Sequence, residues 1–324
     1  MGEQAAATGG TDPVGVVGLG DMGGAIARSL LLAGYRVVGF DPDATATRTL
    51  VEVGGQAVDE VAGVGQRARV VIACLPSAGS LLHTLNPGSG LLSTVQDRAT
   101  VILEMSTLDL ATKHEAKALC SSQGATMLDC PISGTSHQAA DRDLVIYASG
   151  DAAAVEQVSP VLASFSREVL RIGPFGDGSK AKYLANLMVG IHNAAAGEAL
   201  TLATKAGMDP ERVFDALVAG AADSRMLQVR GPFMLEGDYR EGSSAGRTYA
   251  KDRSIISAFA RDQGCPVPLF SIASQLHDAA LANGFDQHDS AAVCAASLGL
   301  AGLPAAPLAE LAARQGSDQE VTVD

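Results

Sequence analysis

Short apolar runs alternate with helical stretches through the first half of the chain. Val14-Gly-Val-Val17, Val37-Val-Gly-Phe40, Val70-Val-Ile-Ala-Cys-Leu75, Thr100-Val-Ile-Leu-Glu-Met105, Met127-Leu-Asp-Cys130 and Leu144-Val-Ile-Tyr-Ala148 are brief and rich in β-branched residues. Such runs read as strands covered on both faces, the pattern of a parallel sheet. Between them, segments such as Ala25 to Ala33, stopped by Gly34, carry apolar residues at helical spacing. Beyond Ser179 the pattern is helical throughout. Ser179 to about Lys205 contains no proline and is rich in Ala, Leu and Met, which predicts one long helix with the Ser179 hydroxyl as its N-cap. At 1.5 Å per residue it would be about 40 Å long. Residues 210–220, 224–235, 249–263, 269–283 and 289–298 read as further helices, and Gly173 to Gly178 as a loop or hinge before the long one.

The first strand feeds Gly18-Leu19-Gly20-Asp21-Met22-Gly23, followed by a helix, and the second strand ends at Asp41. A lone GxGxxG is a weak signal. With a strand before it, a helix after it and an acid about 20 residues on, it points to a dinucleotide site. Gly18 permits the tight turn, Gly20 lets backbone approach a pyrophosphate, and Gly23 lets helix pack on strand. The helix N-terminus then faces the phosphate charge. Asp41 either accepts hydrogen bonds from the ribose hydroxyls, which favours NAD over NADP, or merely caps the turn at Pro42. Leu75-Pro76 and Ser106-Thr107 end later strands, where ligands of open α/β sheets bind.

The expected fold is α/β: an N-terminal Rossmann-type doubly wound sheet, a long interdomain helix and an all-α C-terminal domain. The boundaries expected are a disordered start over 1–12, an NAD-binding domain over 13–172, the long helix and helical domain over 173–303, and a flexible tail over 304–324.

Charge narrows the choice of partner. Lys plus Arg number 23 against 36 Asp plus Glu, a net charge of −13, so nucleic acid is disfavoured as a ligand and an anionic substrate needs a local cationic site. The five cysteines show no metal-type clustering and suit a reducing compartment. No apolar run is long enough to span a bilayer, and the N-terminus lacks the features of a signal peptide. A soluble cytoplasmic protein is expected.

On the long helix, Lys182, Asn186, Val189 and Asn193 share one stripe while Lys180 points the other way. Taken alone, that stripe is more often a solvated face. Arg225 stands where a helix begins after Asp223-Ser224. It is either a surface arginine or a second cation for an anionic substrate, a task that suits its planar fork.

Together the motifs resemble the β-hydroxyacid dehydrogenase family, the group containing 3-hydroxyisobutyrate dehydrogenase, and within it the L-threonate dehydrogenase-like branch. Gly18 to Gly23 matches the family's glycine-rich opening. Asp129-Cys-Pro-Ile-Ser133-Gly134-Thr135 looks like its substrate-binding stretch, with Thr135 in place of glycine. Gly176-x-Gly178-x-x-x-Lys182-x-x-Ala185-Asn186 resembles its catalytic signature, with Ala185 in place of asparagine, and Lys251-Asp252 its Lys-Asp near the cofactor. Arg142 stands where glycine is usual. The resemblance implies NAD held by Gly18, Leu19, Gly20, Asp21, Met22, Gly23, Asp41, Leu75, Pro76, Ser106, Thr107 and Lys251. It implies a substrate carboxylate held by Ser133, Gly134 and Thr135; if Arg225 is the second cation, it is expected at the distal end of the substrate. Lys182 would be the general acid/base, with a lowered pKa, and Asn186 would orient the substrate. No metal is implied. A homodimer or homotetramer through the helical domain is expected. The competing readings are an imine-reductase-like NAD(P)H enzyme, which generally lacks the lysine, and a non-catalytic dinucleotide-binding scaffold.

Overall fold

The computed structural model describes residues 12–95, 99–240 and 245–320, so the disordered start expected over residues 1–11 lies outside the described residues. Contacts divide the chain into two compact units, the first running through Lys182 and the second beginning at Tyr183.

In the first unit, β1 (Val14–Val17) leads to α1 (Asp21–Leu32), β2 (Val37–Phe40), α2 (Ala44–Glu52), the two-residue β3 (Gln56–Ala57), α3 (Ala62–Arg67), β4 (Val70–Ala73) and α4 (Ala78–Thr84). There follow β5 (Val101–Glu104), α5 (Leu110–Ser122), β6 (Thr126–Asp129), β7 (Ile132–Ser133), α6 (Ser136–Ala140), β8 (Leu144–Ser149), α7 (Ala152–Ala163) and β9 (Ser166–Gly173). The strand order is β3-β2-β1-β4-β5-β6-β8-β7, with β9 on β8. Every pairing from β3 to β6 is parallel, and the order reverses at β1, the switch point where doubly wound sheets bind ligands. β8 then runs antiparallel to β6 and β7. Successive residues of a strand serve opposite faces. Ile72 and Leu103 enter one buried cluster with Ile26 and Leu30 of α1, while Val71 and Ile102 enter another with Leu81 and Leu85.

The strands expected from the apolar runs form where the sequence placed them. Three others were not foreseen. β3 and β7 have only two residues each, and β9, Ser-Arg-Glu-Val-Leu-Arg-Ile-Gly, is mostly exposed and carries no buried run. Because β9 extends to Gly173, the expected hinge shrinks to Pro174–Gly176.

The long helix α8 (Asp177–Lys205) has 29 residues, about 43 Å at 1.5 Å per residue, and runs from the first unit into the second. It starts two residues before Ser179. Ser179 is therefore not the N-cap, and its hydroxyl is used elsewhere. The second unit continues with α9 (Pro210–Ala219), α10 (Arg225–Glu236), α11 (Ala245–Asp262), α12 (Pro268–Ala280), α13 (Val293–Leu300) and α14 (Leu308–Glu320). Among the described residues no strand follows Gly173, and no helix is long and apolar enough to cross a membrane. The flexible tail expected from residue 304 is instead largely α14. Leu308 and Leu311 are buried there in the core of the second unit, an apolar pair too short to stand out within Leu-Ala-Glu-Leu.

Candidate active site

Gly18 sits at φ 83°, and a Cβ there would lie 2.1 Å from the carbonyl oxygen of Cys74. A Cβ on Gly23 would lie 1.8 Å from the carbonyl of Gly18. Both glycines are required by the fold itself. Around Gly20 a Cβ would find nothing within 4 Å, and α1 begins there with no side chain capping its first N–H groups. An open approach to uncapped helix N–H groups fits a pyrophosphate. The cofactor implied by the glycine motif therefore suits the residues present. Asp41 Oδ2 accepts from the Leu19 N–H at 2.7 Å and Oδ1 from the Asp43 N–H at 2.8 Å, so this carboxylate is fixed beside the glycine loop. Arg48 folds back on its own helix, donating to the Ala44 carbonyl and the Thr45 hydroxyl.

The loops after β4 and β5 are tied together. The Leu75 N–H donates to Ser106 Oγ at 2.8 Å, and the Ser106 N–H donates to Glu104 Oε1 at 2.9 Å. Pro76 is exposed and Thr107 half-buried beside them. Glu104 opens a buried charge network that the sequence did not announce. Lys113 of α5 lies 2.6 Å from Glu104 Oε2 and 2.6 Å from Asp129 Oδ1, with no solvent exposure of any of the three side chains. Burial alone would push Lys113 toward its neutral form. The two carboxylates outweigh that and hold its pKa above the usual range.

Asp129 carries the network to the long helix. Its Oδ2 accepts from the Ser179 N–H and its Oδ1 from the Ser179 hydroxyl, both at 2.8 Å. Ser149 Oγ donates to Asp129 and accepts from the Gly178 N–H at 3.0 Å. Gly178 is needed because a Cβ would lie 2.3 Å from the Tyr147 carbonyl. The start of α8 is thus fastened to the ends of β6 and β8. Lys182 follows Ser179 by three residues and is half-buried. Lys180 faces elsewhere and pairs with Asp177 at 2.9 Å.

Asn186, one turn beyond Lys182, is buried in the second unit. Its Nδ2 donates to Asp252 Oδ2 at 2.8 Å, and its backbone carbonyl accepts from the Tyr249 hydroxyl at 2.9 Å. That fixes the amide with its oxygen turned away from Asp252. Lys251, on α11, is half-buried with Nζ 3.5 Å from Asp252 Oδ1.

The segment expected to hold a substrate carboxylate follows β6. Ser133 ends β7 half-buried, and Gly134 adopts φ 141°, where a Cβ would come within 2.5 Å of Leu144. Thr135 is engaged locally: its N–H donates to Gln138 Oε1 at 3.0 Å, and its hydroxyl faces Gln138 across the first turn of α6. Arg142, where the family pattern wants glycine, has φ 57° and donates Nε to the Ser164 carbonyl at 2.8 Å. Arg225 opens α10 behind the Ser224 cap and is exposed.

Sequence reasoning missed Glu104, Lys113 and Tyr249, and named Asp129 and Asp252 only as members of family motifs, with no task of their own. A lysine within Leu-Ala-Thr-Lys-His looks solvated, and only the fold reveals it as buried. Burial and Glu104 push the Cys74 thiol up to about 12, and burial raises Cys130 as well, so neither is a nucleophile near neutral pH.

Residues 13–173 match the family model described as the NAD binding domain of 6-phosphogluconate dehydrogenase, and 176–297 that of the NAD-binding domain of NADP-dependent 3-hydroxyisobutyrate dehydrogenase. L-threonate dehydrogenase of Cupriavidus necator is 33% identical over 281 residues, covering 86% of this chain and 94% of that one. 3-Hydroxyisobutyrate dehydrogenase of Pseudomonas aeruginosa is 32% identical over 270 residues, covering 81% and 90%. The crystal structure of 3-hydroxyisobutyrate dehydrogenase from Salmonella typhimurium superposes with a TM-score of 0.78 at 30% identity, covering 87% of this chain and 99% of that one.

Proposed function

Because the chain belongs to the β-hydroxyacid dehydrogenase family, the group containing 3-hydroxyisobutyrate dehydrogenase, we propose a course for its reaction: NAD-dependent oxidation of a small β-hydroxyacid, with Lys182 as general base. The enzyme class is an NAD(P)-dependent oxidoreductase acting on small hydroxyacids. NAD would be held at the Gly18–Gly23 turn and Asp41, and would supply the acceptor for a hydride from the carbinol carbon. The chain's own residues do the rest. Ser133 and Gly134 hold the substrate carboxylate, and the Lys182 amine takes the hydroxyl proton as the carbonyl forms. In reduction the same ammonium returns it. Asn186 orients the hydroxyl, and Arg225 contacts the distal end of the substrate. Lys251 serves the cofactor.

The observation that carries this reading is the anchoring of α8 at Ser179, which holds Lys182 half-buried at the first turns of that helix. Preference for NAD is supported by the Asp41 carboxylate beside the glycine loop and by Arg48 being held to its own helix. We place the enzyme in the cytoplasm as a homodimer or homotetramer. Five free cysteines support that compartment, and exposed Leu184, Met188, Leu202, Leu269 and Ile272 support association through the helical half.

The test is a panel of hydroxyacids, L-threonate and 3-hydroxyisobutyrate among them, assayed with NAD and with NADP. Lys182→Ala should lower turnover about 10²-fold or more while NADH affinity changes little. Equal use of NADP would remove the cofactor assignment, and a crippling effect of Lys180→Ala instead would remove the assignment of the base.

A further inference from the structure

Three segments of the first unit given roles in the proposed reaction hang from one buried ion network. The cofactor loop connects through Leu75 N–H to Ser106 Oγ and Ser106 N–H to Glu104 Oε1. The substrate segment begins at Asp129 itself, and its Cys130 N–H donates to the Glu104 carbonyl at 2.8 Å. The base-bearing helix connects through the N–H and hydroxyl of Ser179. Lys113 comes from α5, which holds none of those segments, and bridges Glu104 and Asp129 at 2.6 Å each.

Stability alone is a poor account of such a network. Two carboxylates and one ammonium, all without exposure, carry a net negative charge, and replacing buried ion pairs with apolar groups of similar size is often neutral or stabilising. Charged hydrogen bonds do, however, fix distance and direction more tightly than apolar contacts. We propose that Lys113, Asp129 and Ser179 are positioning residues, which set Lys182 in register with the substrate and cofactor loops for proton and hydride transfer. The inference rests on the reading of Lys182 as the base.

Ser179→Ala is the small lesion that tests it. It deletes the hydroxyl bond to Asp129 Oδ1 and leaves the backbone N–H bond in place. The matched control is Ser29→Ala, which deletes another buried serine bond of the same unit, to the Ala139 carbonyl at 2.8 Å, outside the network. Both variants and the unaltered enzyme are compared in melting temperature, NADH dissociation constant, kcat and KM. The isotope effect is measured on a hydroxyacid deuterated at the carbinol carbon. A displacement of about 1 Å can cost on the order of 10²-fold in rate. Ser179→Ala should therefore lower kcat by roughly tenfold or more and raise the isotope effect, with NADH affinity within a few-fold. Ser29→Ala should lose comparable melting temperature and keep its kcat. Equal kcat and isotope effect in the two variants would reduce the network to a structural one and overturn the proposal, leaving Lys182 as base untouched. Lys182→Ala with undiminished turnover would instead remove the base assignment, and this inference with it.

Discussion

An added Cβ at Gly18 or Gly23 meets backbone within 2.1 Å, whereas at Gly20 it meets nothing within 4 Å. Gly20 also has φ −62° and ψ −167°, an extended conformation open to any residue. Gly20→Ala should therefore leave the melting temperature of the cofactor-free protein within about 2 °C. What it should lose is stabilisation by NADH, which for an intact site is about 2.7 kcal/mol at a hundred times the dissociation constant. A thermal-shift titration reads both quantities, and full NADH stabilisation in the variant would contradict a pyrophosphate at that spot. Arg142 poses the opposite question. A side chain at φ 57° costs about 1–2 kcal/mol relative to glycine. Arg142→Gly and Arg142→Ala both lose the bond to the Ser164 carbonyl, so the glycine variant should be more stable in urea by about 1 kcal/mol. Equal midpoints would show that this strain is absent. The motifs made Lys182, Asn186 and the glycines visible in the sequence, because each answers to a fixed spacing. Lys113 answers to burial, which spacing does not encode.

His277 on α12 is 5% exposed, its Nε2 is 3.4 Å from the Gly190 carbonyl, and it packs edge-on against Tyr249. Burial first, and then the Arg253 charge, pull its pKa down to about 3. The unfolded chain, with an ordinary histidine near 6.5, binds the proton more readily, so this group removes stability as pH falls from about 6.5 toward 3. Between pH 7 and 5 the loss should be about 2 kcal/mol. Urea unfolding at those two pH values should show a smaller acid loss in His277→Gln than in the unaltered protein; identical losses would clear His277 of the effect. Helices and buried strands were legible in the sequence because periodicity and apolar runs mark them directly. β9 escaped because most of its residues face solvent, and α14 because its buried face is short. Ser179 carried the right chemistry for a cap, but α8 begins two residues earlier and turns that hydroxyl inward to Asp129.

Across the whole chain the net charge is −13, and the ion pairs Arg69–Asp12, Arg212–Asp209 and Arg247–Asp286 are well exposed. Exposed pairs contribute little, whereas an excess of like charge opposes the compact state. Raising sodium chloride from 20 to about 300 mM at pH 8 should therefore raise the melting temperature by about 1–3 °C. A fall would mean that surface pairs outweigh the repulsion. The order of layers, sheet first and helices after, was readable from the order of patterns alone. The seam between the halves was not, because it can be drawn in two places. The two family models part between residues 173 and 176, while the packing divides after Lys182. Inheritance and architecture therefore assign the first six residues of α8 to different owners. A chimera spliced with a relative at Pro174 would import the lysine with the helical half and leave its anchor, Asp129, behind in the other. If the fastening positions the lysine as proposed, hybrids made at that junction should be active only when both parents agree on it, so the most natural crossover for the chain would also be one that catalysis constrains.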